Sequence, residues 1–283
     1  MRLPRRHAID PALTDEVKEP TMSQDEIRRA VERMTREFPF DGYFGPGLES
    51  HGGVAREICS QVPRGGRILD VGCGPIDKTA VLSYIGYRCV GLDDFNDAWH
   101  RRDDNLARIR SFAARAGVDL VEPIGQSLPF ADGEFDAVIL CDVIEHFHES
   151  PRALVCDALR TVKEGGTLLL TVPNAANLRK RVMLLLGSTN YPPYEQFFWS
   201  NGLWRGHVRE YVWDDLAQLS RYVGLADVRI IGAHHMLGVL PSWARPIYKA
   251  MTAPLPGARD TLMLVARKPK GWAAPNDRVS QPH

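Results

Sequence analysis

The sequence has no surplus of charge: its 35 Lys and Arg are balanced by 35 Asp and Glu over 283 residues. No global field therefore draws the chain to nucleic acid or to an anionic surface. Paired cysteines are missing as well. Cys59, Cys73, Cys89, Cys141 and Cys156 are odd in number, and none forms a CxxC pair or has a histidine at zinc-ligand spacing. Reduced thiols, no metal and a cytoplasmic setting are the expectation. No apolar run approaches the roughly 20 residues of a membrane span. Arg2, Arg5 and Arg6 precede no apolar core of a signal peptide. A full dinucleotide fingerprint is absent too, because Gly72-Cys-Gly74-Pro-Ile-Asp77 lacks a third glycine. A diphosphate cradle is not specified, which argues against NAD.

What is present is organised around Arg67-Ile-Leu-Asp-Val-Gly-Cys-Gly-Pro75. Ile68, Leu69 and Val71 give a buried strand, Gly72 and Gly74 free the backbone to turn, and Pro75 suits the start of a helix. Ile76–Ile85 has a helix pattern, Tyr87–Leu92 a strand pattern, and Asp93 and Asp94 end that strand. An acidic side chain at that edge can accept bonds from both hydroxyls of a ribose. Asp70 adds a carboxylate that would repel a diphosphate and attract an ammonium. The pairing suits a ligand with adenosine at one end and an amino acid at the other.

Taken in order, residues 1–20 form a charged, proline-bearing tail expected to be mobile, and residues 21–65 a helical cover. In the cover, Ser23 and Glu26 spell a capping box before an apolar face of Ile27, Ala30, Met34 and Phe38. Further on, 97–117 reads as a helix, 118–121 and 136–141 as strands, 151–162 as a helix, 163–166 as a turn and 167–172 as a strand. Alternating strands and helices specify a parallel sheet with its ligand at the carboxyl edge. Residues 173–206 break the alternation and read as an inserted lid or substrate wall rich in aromatics. Within it, 174–187 reads as a helix with Leu178, Val182 and Leu185 on the apolar side and Arg179-Lys-Arg181 on a solvated face. A helix at 213–223, a strand at 226–231, a helix near 241–251, a strand at 261–266 and a loose tail from 268 complete the chain.

The run of motifs resembles the class I S-adenosylmethionine-dependent methyltransferases, in the broad group that includes the ubiquinone-biosynthesis O-methyltransferases. The resemblance covers about 66–268 and rests on Leu69-Asp-Val-Gly-Cys-Gly74, Gly91-Leu-Asp93, Leu128-Pro-Phe130 with Phe135-Asp136, Ile144-Glu-His146, Lys163-Glu-Gly-Gly166 and Val172-Pro-Asn174. It implies an α/β, Rossmann-like sheet of seven strands, mostly parallel, helices on both faces and the last strand (261–266) antiparallel. It also implies that Asp70, Gly72, Cys73 and Gly74 line the methionine end of S-adenosyl-L-methionine, so that a β-carbon at either glycine would fill the space of the methionyl chain. Asp93, with Asp94 beside it, would hold the ribose; Leu128 and Phe130 would border the adenine; Asp142 and His146 would sit beside the sulfonium. Two positions depart from the family pattern: Ile76 stands where a small residue or glycine is usual, and Ile124 where an acid is. Gln126 or a backbone carbonyl would then serve the adenine amino group.

Methyl transfer from a sulfonium is an in-line displacement that relies on positioning and exclusion of water, with a base only for a weakly acidic hydroxyl. His146 is the first candidate for that base and His207 the second, each weighed against a structural role. Arg205, His207, Arg209 and Tyr211 share one face if their segment is extended and would hold an anionic acceptor; the alternative is a solvated edge. The leading function is methylation of a hydroxyl oxygen, with a nitrogen as the second choice, on a small, sugar or lipid-like molecule, with peripheral membrane contact open and no nucleic acid expected. The alternatives are a non-catalytic scaffold with this fold and, last, a nicotinamide oxidoreductase.

Overall fold

Strand β1 (Arg67–Val71) is buried from Ile68 onward on both of its faces, as a central parallel strand must be. In the computed structural model, which describes residues 22–43, 48–123, 127–188 and 193–276, it pairs in parallel with β2 (Arg88–Leu92) on one side and β4 (Phe135–Cys141) on the other. The described residues form one seven-stranded sheet in the order β3-β2-β1-β4-β5-β7-β6, completed by β3 (Val118–Val121), β5 (Val162–Pro173), β6 (Ala226–Ala233) and β7 (Thr261–Arg267). Only β7 runs antiparallel to its neighbours, β5 and β6. The sheet is thus the one expected from the sequence. Strand order reverses between β1 and β4, and a crevice opens at such a switch point.

Period-two alternation divides the core. Ile68, Ile139 and Val265 face the layer of α1 (Gln24–Glu37), α2 (Leu48–Gln61), α3 (Asp77–Ile85) and α4 (Asn105–Ala116). Leu69, Val138 and Leu264 face α5 (Arg152–Thr161) and α8 (Trp213–Tyr222). The predicted capping box is present in α1, with Glu26 N donating to Ser23 Oγ and Ser23 N to Glu26 Oε2. This helix packs on α3, and Met22, Ile27, Met34, Val54, Ile58 and Val62 are buried in the core, so α1 and α2 belong to it as much as they cover it. The tail at 1–20 lies outside the described residues.

Four boundaries differ from the sequence reading. Helix α4 starts at Asn105 because Asp93, Asp94 and Asp97 each turn back to accept the N–H two residues on, which competes with helix. Residues 163–166 are drawn into β5 as a bulge, since Phe135 pairs with Val162 while Ala137 pairs with Thr167. In the insertion, Asn177 caps α6 (Leu178–Leu185) by accepting from Lys180 N, which rotates the helix away from the expected facing. Lys180 is buried, whereas Leu185 is 86% exposed. The tail from 268 is anchored at its start, where Trp272 Nε1 donates to Val223 O and Gly271 N to Glu164. The insertion's second helix is α7 (Tyr194–Phe198), and α9 (Ala244–Thr252) lies between β6 and β7.

Candidate active site

After β1 the chain turns at Gly72 (φ +73) and Gly74 (φ +50), and both Gly72 N and Cys73 N donate to Leu92 O at the end of β2. Ile76 begins α3 in the left-handed region (φ 62), a strained choice for a β-branched residue, at the position where the family pattern has a small residue. Asp93 closes the turn: its Oδ2 accepts from Gly74 N and its Oδ1 from Phe95 N, both at 2.8 Å. Each carboxylate oxygen retains a second lone pair for a ligand. Asp94 instead takes both N–H groups of Asn96.

Around this turn lies a cavity of about 780 Å³, bordered by Gly72–Pro75, Asp93, Asp94, Leu128, Asp142 and His146, and by Tyr43, Trp204 and Arg205 from the two segments outside the sheet. Its size is that of a small-molecule site. Two observations bear on an amino-acid ligand. Asp70 is 2% exposed, and its Oδ1 has no hydrogen-bond partner, while Oδ2 accepts from Thr79. Burial raises this carboxyl to about 7 against the Thr79 hydrogen bond and the charge of Lys78. A β-carbon on Gly74 would meet nothing closer than His100 Nε2 at 3.9 Å, so the space over the turn is open. These residues fit S-adenosylmethionine. Gly72 differs from expectation, because its β-carbon would strike Val143 Cγ2 at 2.7 Å rather than enter ligand space. Phe130 differs too: it packs edge-on against Phe135 at 5.1 Å and does not border the cavity. Ile124 and Gln126 lie outside the described residues.

Asp142 belongs to this cavity and also to a second one of about 340 Å³. It sits at φ +59, accepts from Thr171 Oγ1 at 3.1 Å and pairs with Lys78 Nζ at 3.4 Å. Burial opposes its ionisation, yet Lys78 holds it below the usual carboxylate range. Lys78 is likewise opposed by burial and held well above the lysine value by Asp77 and Asp142.

The second cavity is lined by side chains from distant parts of the chain, among them Glu145, Lys180, His207, Glu210 and His235. His207 Nδ1 donates to Glu210 Oε1 at 3.0 Å, and Lys180 pairs with the same carboxylate through Oε2. Glu210 is held below its usual range against its burial by these two partners. His207 Nε2 lies 4.0 Å from Glu145, which is fully buried with neither oxygen hydrogen-bonded. Burial, then the charge on Asp142, pushes Glu145 up to about 8.

The two candidate bases differ in attachment. His146 donates Nδ1–H to Arg205 O at 2.8 Å, beside a bond from His148 Nε2–H to Trp204 O at 2.7 Å, and burial lowers its pKa. It stands edge-on to His207, ring centres 5.0 Å apart, but borders only the larger cavity, while His207 borders only the smaller. The predicted polar face of 205–211 does not form. Arg205 borders the larger cavity, but Arg209 points outward to Asp215 at 3.3 Å, and Tyr211 is buried with its hydroxyl on Ile144 O. Neither of the latter two lines a cavity, because the segment is looped rather than extended, its 208 and 209 N–H groups both donating to Glu145 O. Glu145, His146 and His207 place ligand atoms within 4.8 Å of one another and could close on a cation, although the sequence offered no such set. Glu145, Glu210 and Lys180 were missed as site residues. The one local signal was Glu210, three positions after His207.

The sheet order and the crevice beyond β1, β2 and β4 define the class I methyltransferase fold. A SAM-dependent methyltransferase of Thermotoga maritima, described as a possible histamine N-methyltransferase, superposes with TM-score 0.54 at 15% identity over 87% of this chain and all of the other. Phosphoethanolamine N-methyltransferase 2 of Haemonchus contortus, solved with S-adenosyl-L-methionine, gives 0.51 at 16% identity over 91% of this chain and 60% of that one. Residues 69–170 match the family model described as a methyltransferase domain. An uncharacterized methyltransferase of Mycobacterium tuberculosis is 33% identical over 112 residues, 40% of this chain and 41% of the relative. The ubiquinone/menaquinone biosynthesis C-methyltransferase of Pasteurella multocida is 32% identical over 118 residues, again 40% and 41%. The chain thus spans about two fifths of the length of these curated relatives.

Proposed function

We propose that the protein is an S-adenosylmethionine-dependent methyltransferase that binds its cofactor in the larger cavity and its acceptor in the smaller, with a hydroxyl oxygen as the atom methylated. The observation that carries this reading is the His207–Glu210 pair in a cavity that meets the cofactor cavity at Asp142. In the larger cavity, Asp93 orients the ribose and Gly74 leaves room for the amino-acid end; Asp70 does not border the cavity, contrary to the sequence expectation, and acts on the ammonium only as a buried charge behind the turn. The cofactor supplies an electrophilic methyl group. In the smaller cavity, Glu210 fixes the His207 ring with Nε2 free to take the acceptor's proton and stabilises the imidazolium that results. His146 is a positioning residue that holds residue 205 over the cleft. This reverses the order of the two histidines expected from sequence.

Removing the same proton from a phenol or enol also activates its adjacent carbon, so C-methylation is the second reading, favoured by the Pasteurella relative. The test is transfer of labelled methyl from S-adenosylmethionine to a panel of phenols, quinols and sugar glycosides, with O- or C-attachment assigned by NMR. An O-methyl product that vanishes in His207→Ala supports the assignment. A C-methyl product would replace it with the second reading, and failure of every acceptor despite cofactor binding would favour a scaffold.

A further inference from the structure

The two elements that flank the smaller cavity carry the wrong surface for a protein meeting only water. Helix α6 reaches the cavity through Arg179 and Lys180, yet Leu184, Leu185 and Leu186 stand 53%, 86% and 80% exposed. Helix α9 reaches it through Tyr248, while Trp243, Ile247 and Met251, spaced four apart on one stripe, are all more than half exposed. An apolar stripe of this kind normally faces a core.

The charge on these elements is one-sided. Asp and Glu make up 35 of 283 residues, about one in eight, but there is none in 178–188 and none in 236–255. Those stretches hold Arg179, Lys180, Arg181, Arg245 and Lys249. Among the described residues Arg181 and Arg245 donate to backbone carbonyls and to no carboxylate. Lys249 reaches Glu49 only as a surface pair at 3.5 Å, both partners about half exposed. Exposed leucine and tryptophan interleaved with arginine is the pattern of a face that lies in the headgroup region of an anionic bilayer. A protein partner would need acidic and apolar groups matched to both helices, whereas a bilayer supplies both everywhere.

We propose that the α6 and α9 surface docks on anionic lipid bilayers and presents the smaller cavity to them. Docking itself is independent of the enzymatic reading. Its consequence, that the acceptor is an amphiphile drawn from the membrane, rests on the reading of that cavity as the acceptor site.

The experiment is flotation of the full-length protein with vesicles of phosphatidylcholine alone and with about a third phosphatidylglycerol. The protein should float with the anionic vesicles, and each of Arg181→Glu and Arg245→Glu should weaken binding by at least roughly fivefold. The double variant Leu185→Glu/Trp243→Glu should stay at the bottom of the gradient while keeping its circular dichroism and its affinity for S-adenosylhomocysteine, which separates loss of docking from misfolding or a lost cofactor site. Absence of wild-type flotation would overturn the proposal. So would flotation unaffected by the double substitution, or a concentration-dependent dimer abolished by it, which would assign the face to a second copy of the chain.

Discussion

The two cavities meet at Asp142 but are built in opposite ways. The larger is made from short sequence runs that fold where they stand: Val71 to Pro75 at the end of β1, Asp93 and Asp94 at the end of β2, Asp142 and His146 after β4. The smaller gathers Ser50, Glu145, Lys180, His207, His235 and Asp260, no two of them neighbours in sequence. A turn and the ends of parallel strands can be specified locally, so a cofactor common to many enzymes can be read from motifs. A pocket assembled from insertions and loops, as the proposed acceptor site is, is specified only by the finished fold.

The largest effect expected from that division is kinetic. His207→Ala should lower turnover roughly 10²–10⁴-fold with cofactor affinity nearly intact, measured as S-adenosylhomocysteine formed with whichever acceptor the panel yields. His146→Ala should retain most of its turnover and lose thermal stability, since its bond to the 205 carbonyl is structural. The opposite ranking would return the base to the larger cavity.

A smaller effect separates the two glycines. Both have positive φ, so Gly72→Ala and Gly74→Ala each carry a backbone cost of about 1 kcal/mol. Gly72→Ala adds a collision with Val143 and should show the greater fall in melting temperature, whereas Gly74→Ala should lose more cofactor affinity for less stability. Equal losses in both properties would mean that the turn as a whole, and not the open space at Gly74, forms the ligand surface.

The smallest effect is on stability against pH. Glu145 titrates at about 8 in the fold and near 4.5 when unfolded, so the native state holds a proton that the unfolded chain releases between those values. Its contribution is complete below about pH 4.5 and declines as pH rises toward 8, on the order of a few kcal/mol. Denaturant titrations from pH 5 to 8 should show this loss, and Glu145→Gln should flatten it. Asp70, raised to about 7 by burial, adds to this loss, while His235, lowered to about 4 by burial, and His146, lowered likewise, oppose it below about pH 6.5. An unchanged slope in Glu145→Gln would mean that Glu145 is ionised in the native protein.

Legibility in the sequence followed the same line. The strands, the capping box of α1 and the turn of Asp93 onto Phe95 are set by apolar runs and by residues within four positions of one another, whereas the antiparallel direction of β7 was implied only by the family resemblance. Arg179-Lys-Arg181 misled because the cap at Asn177 sets the facing of α6, and an ion pair to Glu210 offsets the burial of Lys180. Phe130 misled because an aromatic beside a cleft can equally pack on Phe135. Glu145 was quoted as part of a motif without a role, and only the fold shows that both its oxygens are buried without partners.

The central claim is that cofactor and acceptor are handled by separable groups, which calorimetric titration of S-adenosylhomocysteine tests without knowledge of the acceptor. Wild type and His207→Ala should bind alike. Asp93→Ala should bind about 10- to 150-fold more weakly, from loss of charge-assisted bonds to the ribose and of the two N–H groups that Asp93 pins. No binding by the wild type, or an equal loss in His207→Ala and Asp93→Ala, would contradict the account.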